Sequence, residues 1–227
     1  MKLPREAAVM TLPNATLFPQ ALLPLYVFET RYRRMLADAL AADRVFCVAM
    51  QRPNCTREAP EVVAGLGLIR VSVRRPDGTS HLILQGVARV ELEETVRYRP
   101  YRVHRIRPLS PRPCNDVTVD ALVCRVRELM AERIELGLPC PFPMVSPCQN
   151  VPTSKAAPMA FAAREILKYV GDLKNPEHVA DLVSCAVLRQ AEERQTILAT
   201  VDLETRLRYL IRFLLADIRQ RRKESKT

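Results

Sequence analysis

Residues 12–35 read LPNATLFPQALLPLYVFETRYRRM, and this stretch decides the fold. An apolar, strand-like run is broken at Pro13, Pro19 and Pro24, then gives way to a basic amphipathic helix. Proline fixes φ and has no N–H to give a ladder, so each of the three must stand at a strand start, an edge or a bend. A chain punctuated in this way wraps a small barrel instead of crossing a flat sheet. Thr30 is placed to cap the helix, and Tyr32, Met35, Leu36, Ala39 and Leu40 recur at helical spacing, a stripe that packs on the barrel.

Outward from that stretch, the apolar period stays at two as far as residue 109. Residues 45–50, VFCVAM, form a buried strand, and the polar QRPNCTREAPE that follows forms a loop. Runs at 68–75 and 80–84 flank Pro76-Asp77-Gly78-Thr79, and Asp-Gly between β-rich runs marks a hairpin. Further strands are expected at 87–96 and 101–109. Five or six short strands with one helix at the rim make a small barrel.

Beyond Pro108 the period becomes 3.6. Leu122, Val126, Leu129 and Met130 share one helical face, and Val179, Leu182, Val183, Ala186 and Val187 share another. Asn175-Pro176-Glu177 is a helix start, with a capping Asn, Pro in the first turn and an acidic residue after it. Leu203, Leu207, Leu210, Ile211, Leu214, Leu215 and Ile218 trace a long last helix, whose tail from Arg219 is expected to fray and whose Asp217 and Arg221 form an i, i+4 pair. Residues 137–158 hold six prolines and read as a loop. The expected architecture is α+β: a barrel over 1–110 and a helical bundle over 111–227.

Leu12-Pro13, Leu17-Phe18-Pro19, Leu23-Pro24-Leu25, Phe28-Glu29 and Arg31-Tyr32-Arg33 together resemble the opening of the N-terminal, substrate-binding domain of the Lon protease family. The likeness extends through Pro76-Asp77-Gly78, Gly86 with Arg89, Pro100-Tyr101 and its strand, and NPEHVADLVSCAVL at 175–188. His104 departs from it, standing where the family often has a small residue, and the proline-rich insert looks longer than the family's. The resemblance implies a PUA-like pseudo-β-barrel followed by a helical bundle, and a part in recognising unfolded polypeptide and in assembly.

Catalysis finds no such support. A phosphate loop needs G-x-x-x-x-G-K-[ST], and no pair among the six glycines fits it. Ser154-Lys155 are adjacent, but in the proline-rich loop nothing desolvates the lysine, and a solvated lysine stays protonated and is a poor base. His81, His104 and His178 lack zinc-site spacing, and the seven cysteines include no C-x-x-C pair. Glu93-Glu94 and Glu192-Glu193 diverge rather than converge. No enzyme activity, metal or cofactor is expected.

Two binding readings follow. In the first, a stand-alone, non-catalytic module, an adaptor in protein quality control, binds unfolded polypeptide or a partner protein through Phe18, Leu25 and Phe28. In the second, the formal charge of +10 and the strand RYRPYRVHRIR point to RNA, with Arg97, Arg99, Arg102 and Arg105 on phosphates and tyrosines stacking on bases. An exposed apolar groove would also favour a homodimer. With no apolar run near the ~20 residues of a bilayer span, and no signal-like start, a cytoplasmic protein is expected.

Overall fold

Strands β1 (Glu6–Leu12) and β2 (Leu22–Val27), helix α1 (Thr30–Ala41), and strands β3 (Val45–Met50), β4 (Val63–Arg74), β5 (Ser80–Arg97) and β6 (Arg102–Pro108) follow in chain order. Helices α2 (Asp116–Glu135), α3 (Pro176–Val187), α4 (Ala191–Ala199) and α5 (Leu203–Glu224) follow them in the computed structural model. It describes residues 3–53, 55, 58–110, 116–138, 165 and 167–224. Ser154, Lys155 and residues 139–158 of the proline-rich insert lie outside the described residues. The chain forms two compact units, Met1–Ser110 with Gln190–Ala199, and Pro111–Arg189 with Thr200–Thr227.

In the first unit the strand order is β2-β5-β4-β3-β1-β6, and a further β5–β6 pairing closes five of the strands into a ring. One long strand makes this closure possible. β5 pairs with β4 along one side, and on the other its start takes β2 while its end takes β6. The sequence suggested separate strands on either side of Gly86, but the chain runs through it without a break. β2 is left at the edge, which is where a strand containing Pro24 belongs.

Alternation along the strands sorts their side chains into two cores. Ala7, Val9, Cys47, Ala49, Leu66, Val90 and Ile106 fill one, and burial pushes the Cys47 thiol above its usual range. Met10, Leu17, Phe46, Val48, Ile69, Leu82 and Leu84 form the other with Tyr32, Met35 and Leu36 of α1. The Tyr32 hydroxyl accepts from Thr11 N–H at 3.1 Å, and burial pushes its pKa up to about 12. Thr30 does not cap α1: it is already helical, and Glu29 holds the cap position without a side-chain bond.

Residues 17–18 cross the sheet where it is bare of side chains. A Cβ at Gly65 would collide with the Leu17 carbonyl oxygen, and one at Gly86 with that of Phe18. Helix α4 is fastened to the same unit by side-chain bonds. Arg89 Nε donates to Leu198 O at 3.2 Å, satisfying a last-turn carbonyl, and Gln195 Nε2 donates to Val63 O at 2.9 Å.

His104 finds its partner at a register shift, where β5 bulges between Leu92 and Thr95 and leaves His104 opposite Thr95. Nε2 lies 3.4 Å from Thr95 Oγ1. Burial first, and the Arg102 charge second, lower the imidazole pKa, so the folded state favours the neutral ring. Its contribution to stability is therefore complete above the unfolded pKa of about 6.5 and lost as pH falls below it. Urea midpoints of wild type and His104→Gln, measured between pH 7 and pH 5, should show the larger acid loss in wild type. Parallel losses would refute this account of the histidine.

In the second unit α2, α3 and α5 pack on one another. Val119, Val123, Val126, Val179, Val183, Leu207, Leu210 and Leu214 are buried, whereas Leu122 and Leu182 are half-buried. Asn175 caps α3, its side chain accepting from Glu177 N–H at 2.8 Å. Ion pairs cross between these helices, among them Arg222 with Glu132 at 2.7 Å near the surface and two pairs that are more deeply buried. Arg206 meets Asp181 at 3.4 Å with both side chains 1% exposed, and fully buried Arg133 pairs with Asp217. Asp217 thus reaches across to α2, Arg221 meets Glu224 at 3.7 Å, and α5 stays helical through Arg219 to Glu224.

Candidate functional site

Strand parity gives the first unit an apolar face that the described residues leave uncovered. On β2, Leu23, Leu25 and Val27 turn toward the core, so Leu22, Pro24 and Tyr26 turn outward. The registers Tyr26↔His81↔Val73 and Pro24↔Ile83↔Val71 continue that face across β5 onto β4. Leu22 is 49% exposed, Tyr26 47%, Phe28 60%, Val71 47% and Val73 57%. The Tyr26 ring stacks on Phe28 at 5.8 Å and meets His81 at 4.8 Å, which holds the aromatic end of the face together. At the other end Arg70 Nε donates to Gln85 Oε1 at 2.5 Å, so a cation borders the apolar ground.

Of the three apolar contacts expected from sequence, only Phe28 is on this face. Phe18 is 0% exposed, because its backbone lies against Gly86, and it offers nothing to a ligand. Leu25 packs against the core from the opposite side of β2. Leu22, Tyr26, Val71 and Val73 were missed. The alternation in LLPLYV could have shown the first two. Val71 and Val73 depend on the register shift between Ile69 and Val71, which no pattern in the sequence announces.

The arginines of the basic strand do not present a common phosphate surface. Arg105 pairs with Glu94 at 3.3 Å, and its neighbour Arg107 pairs with Glu91 and Glu93. Arg102 donates to the Glu58 carbonyl while lying over the Tyr98 ring at 5.4 Å, and Arg97 lies over Tyr101 at 4.9 Å. Each of the two rings that base stacking would use thus carries a guanidinium group of the same chain over one face. Arg99 is exposed beside a cleft of about 170 Å³ shared with Arg31, Glu58 and Tyr98, where Arg31 meets Glu58 at 2.6 Å. This geometry gives the RNA reading no support.

Among the described residues, no three His, Cys, Asp or Glu side chains are grouped to hold a metal ion, and no helix is long and apolar enough to cross a membrane. A wider cleft of about 330 Å³ lies between the ends of β3 and β4 and helix α4, lined by Met50, Val62, Val63 and Gln195.

The family model of the ATP-dependent protease La (LON) substrate-binding domain matches residues 6–216. The Lon protease of Anaeromyxobacter dehalogenans is 28% identical over 218 residues, covering 93% of this chain and 23% of that protein. Lon protease 2 of Myxococcus xanthus is 27% identical over 218 residues, covering 93% and 24%. The chain thus spans about a quarter of the length of these relatives. Among solved structures, the N-terminal domain of the Mycobacterium avium complex Lon protease superposes with a TM-score of 0.68 at 18% identity, covering 92% of this chain and 97% of that one. The Lon N-terminal domain protein of Xanthomonas campestris gives 0.56 at 17% identity, covering 92% and 98%. At such identities the likeness shows the fold, a strand-rich part followed by a helical part.

Proposed function

The chain belongs to the substrate-binding domain family of ATP-dependent protease La (Lon), and on that premise we propose that it is a polypeptide-recognition module without catalysis of its own, an adaptor in cytoplasmic protein quality control. Its contact surface is the outer face of β2, β5 and β4. The observation that carries this reading is that Leu22, Tyr26 and Phe28, at β2, and Val71 and Val73, on β4, are each close to half exposed or more and are joined across the intervening β5 by Ile83 and His81. Apolar side chains scattered singly over a surface are ordinary, whereas a contiguous patch marks an interaction site. Folded proteins bury such residues and unfolded chains display them, so the face selects by folding state.

The test is titration of the chain with a reduced, carboxymethylated protein and with the same protein folded. Wild type should prefer the unfolded form, and Tyr26→Ser with Phe28→Ser should weaken that binding by about tenfold or more, since two half-exposed aromatics forgo about 1–2 kcal/mol of burial. Both side chains are exposed, so thermal stability should hardly change. Equal binding of folded and unfolded forms would overturn the proposal, as would an undiminished affinity in the double variant.

A further inference from the structure

We infer that β2 holds a bound polypeptide as an added strand, its free backbone edge pairing with an extended segment whose alternate side chains lie on the apolar face. This rests on the reading of that face as polypeptide-binding and specifies how the segment is held.

The backbone orientation of β2 follows from two bonds. Gly86 N–H donates to Ala21 O and Gln20 N–H donates to Gly86 O, each at 2.9 Å, so the Ala21 carbonyl points toward β5. Backbone groups alternate in direction along an antiparallel strand, which turns residues 23, 25 and 27 toward β5 and residues 22, 24 and 26 away from it. Pro24, which has no N–H, falls on the outward set, where the β5 ladder loses nothing by it. Leu22 and Tyr26 therefore direct both N–H and C=O to the free edge, and Pro24 adds a carbonyl. No loop, turn or cap bond reaches these groups among the described residues.

Edges of this kind are usually guarded by charge. Here residues 19–28, PQALLPLYVF, carry none. The same residues that offer backbone groups sideways offer apolar side chains outward, so a strand laid beside β2 gains ladder bonds and apolar contact together.

Pro24 also argues against a second copy as the occupant. Two β2 strands related by a twofold axis would meet with the missing donor on both sides, and in the centred register two proline carbonyls would face each other unpaired. An incoming segment free of proline forgoes only the one bond.

Hydrogen exchange tests this with a decapeptide of alternating leucine and threonine as the probe. On binding, the Leu22 and Tyr26 amides should slow by about tenfold or more, while Leu23, Leu25 and Val27, already bonded to β5, should not change. Two further decapeptides, N-methylated at the odd or at the even backbone nitrogens, should separate. One should lose about tenfold or more in affinity and the other keep it, because only one parity faces the edge. If the decapeptide binds while Leu22 and Tyr26 exchange as before and both methylated forms bind equally, strand addition is wrong and the apolar-face reading survives. Failure of both decapeptide and unfolded protein to bind removes the two together. Protection of the same amides that rises with protein concentration alone would assign the edge to a second copy and overturn the inference.

Discussion

Asp181→Ala is expected to cost the helical unit about 3–5 kcal/mol, the usual penalty for stranding one partner of a buried ion pair. Asp181 on α3 and Arg206 on α5 are each 1% exposed, so water cannot take the place of the missing carboxylate. The guanidinium cannot swing out to find it either. Its Nε and Nη2 donate to the carbonyls of Thr200 and Val201, both at 2.9 Å, which ties it to the turn that begins α5. Urea unfolding followed by helical circular dichroism should therefore show a much lower midpoint. The double variant Asp181→Leu with Arg206→Met removes the stranded charge and takes one donor from each of the half-buried Thr200 and Val201 carbonyls, so it should be less destabilised than the single one. A single variant within about 1 kcal/mol of wild type would mean the pair is not desolvated as described.

Gly86→Ala should be nearly as damaging for a steric reason. The new methyl collides with a backbone oxygen, that of Phe18, which cannot rotate aside as a flexible side chain would. Relief requires residues 17–21 to lift from the sheet, breaking the bonds that Gln20 and Ala21 make with Gly86. Overpacking and the lost bonds together come to about 3 kcal/mol or more. Because those bonds orient β2, the variant should also weaken polypeptide binding at temperatures where it remains folded. Gly171→Ala is the control: nothing lies within 4 Å of its added methyl, so the midpoint should stay or rise slightly. Equal effects from the two substitutions would show that the close crossing at Gly86 is not what matters.

These two sites mark the limits of what the chain discloses when read linearly. Features of local origin were legible: the confinement of Pro24 to a strand start, edge or bend, the Asp-Gly hairpin, the Asn175 cap and the leucine stripe of α5 each depend on residues within a turn or two. The Asp181–Arg206 pair joins positions 25 apart, and the approach of Phe18 to Gly86 joins positions farther apart still. Phe18 and Phe28 look alike in sequence, both apolar and both beside a break in the pattern. One is core and the other surface because Gly86, on another strand, lets the backbone of the first come close. The candidate face was only partly visible for the same reason, since β2 shows its alternation openly while β4 reaches the face through a register shift.

Helix α4 carries a consequence for how the chain is made. It belongs to the strand-rich unit yet is encoded after most of the helical one, so the ribosome delivers Val63 and Arg89 long before Gln195 and Leu198 exist to meet them. At about 5–20 residues per second that interval is on the order of ten seconds. For that time the nascent ring is an unfinished protein, displaying to the cell the kind of surface that its completed form is proposed to recognise in others.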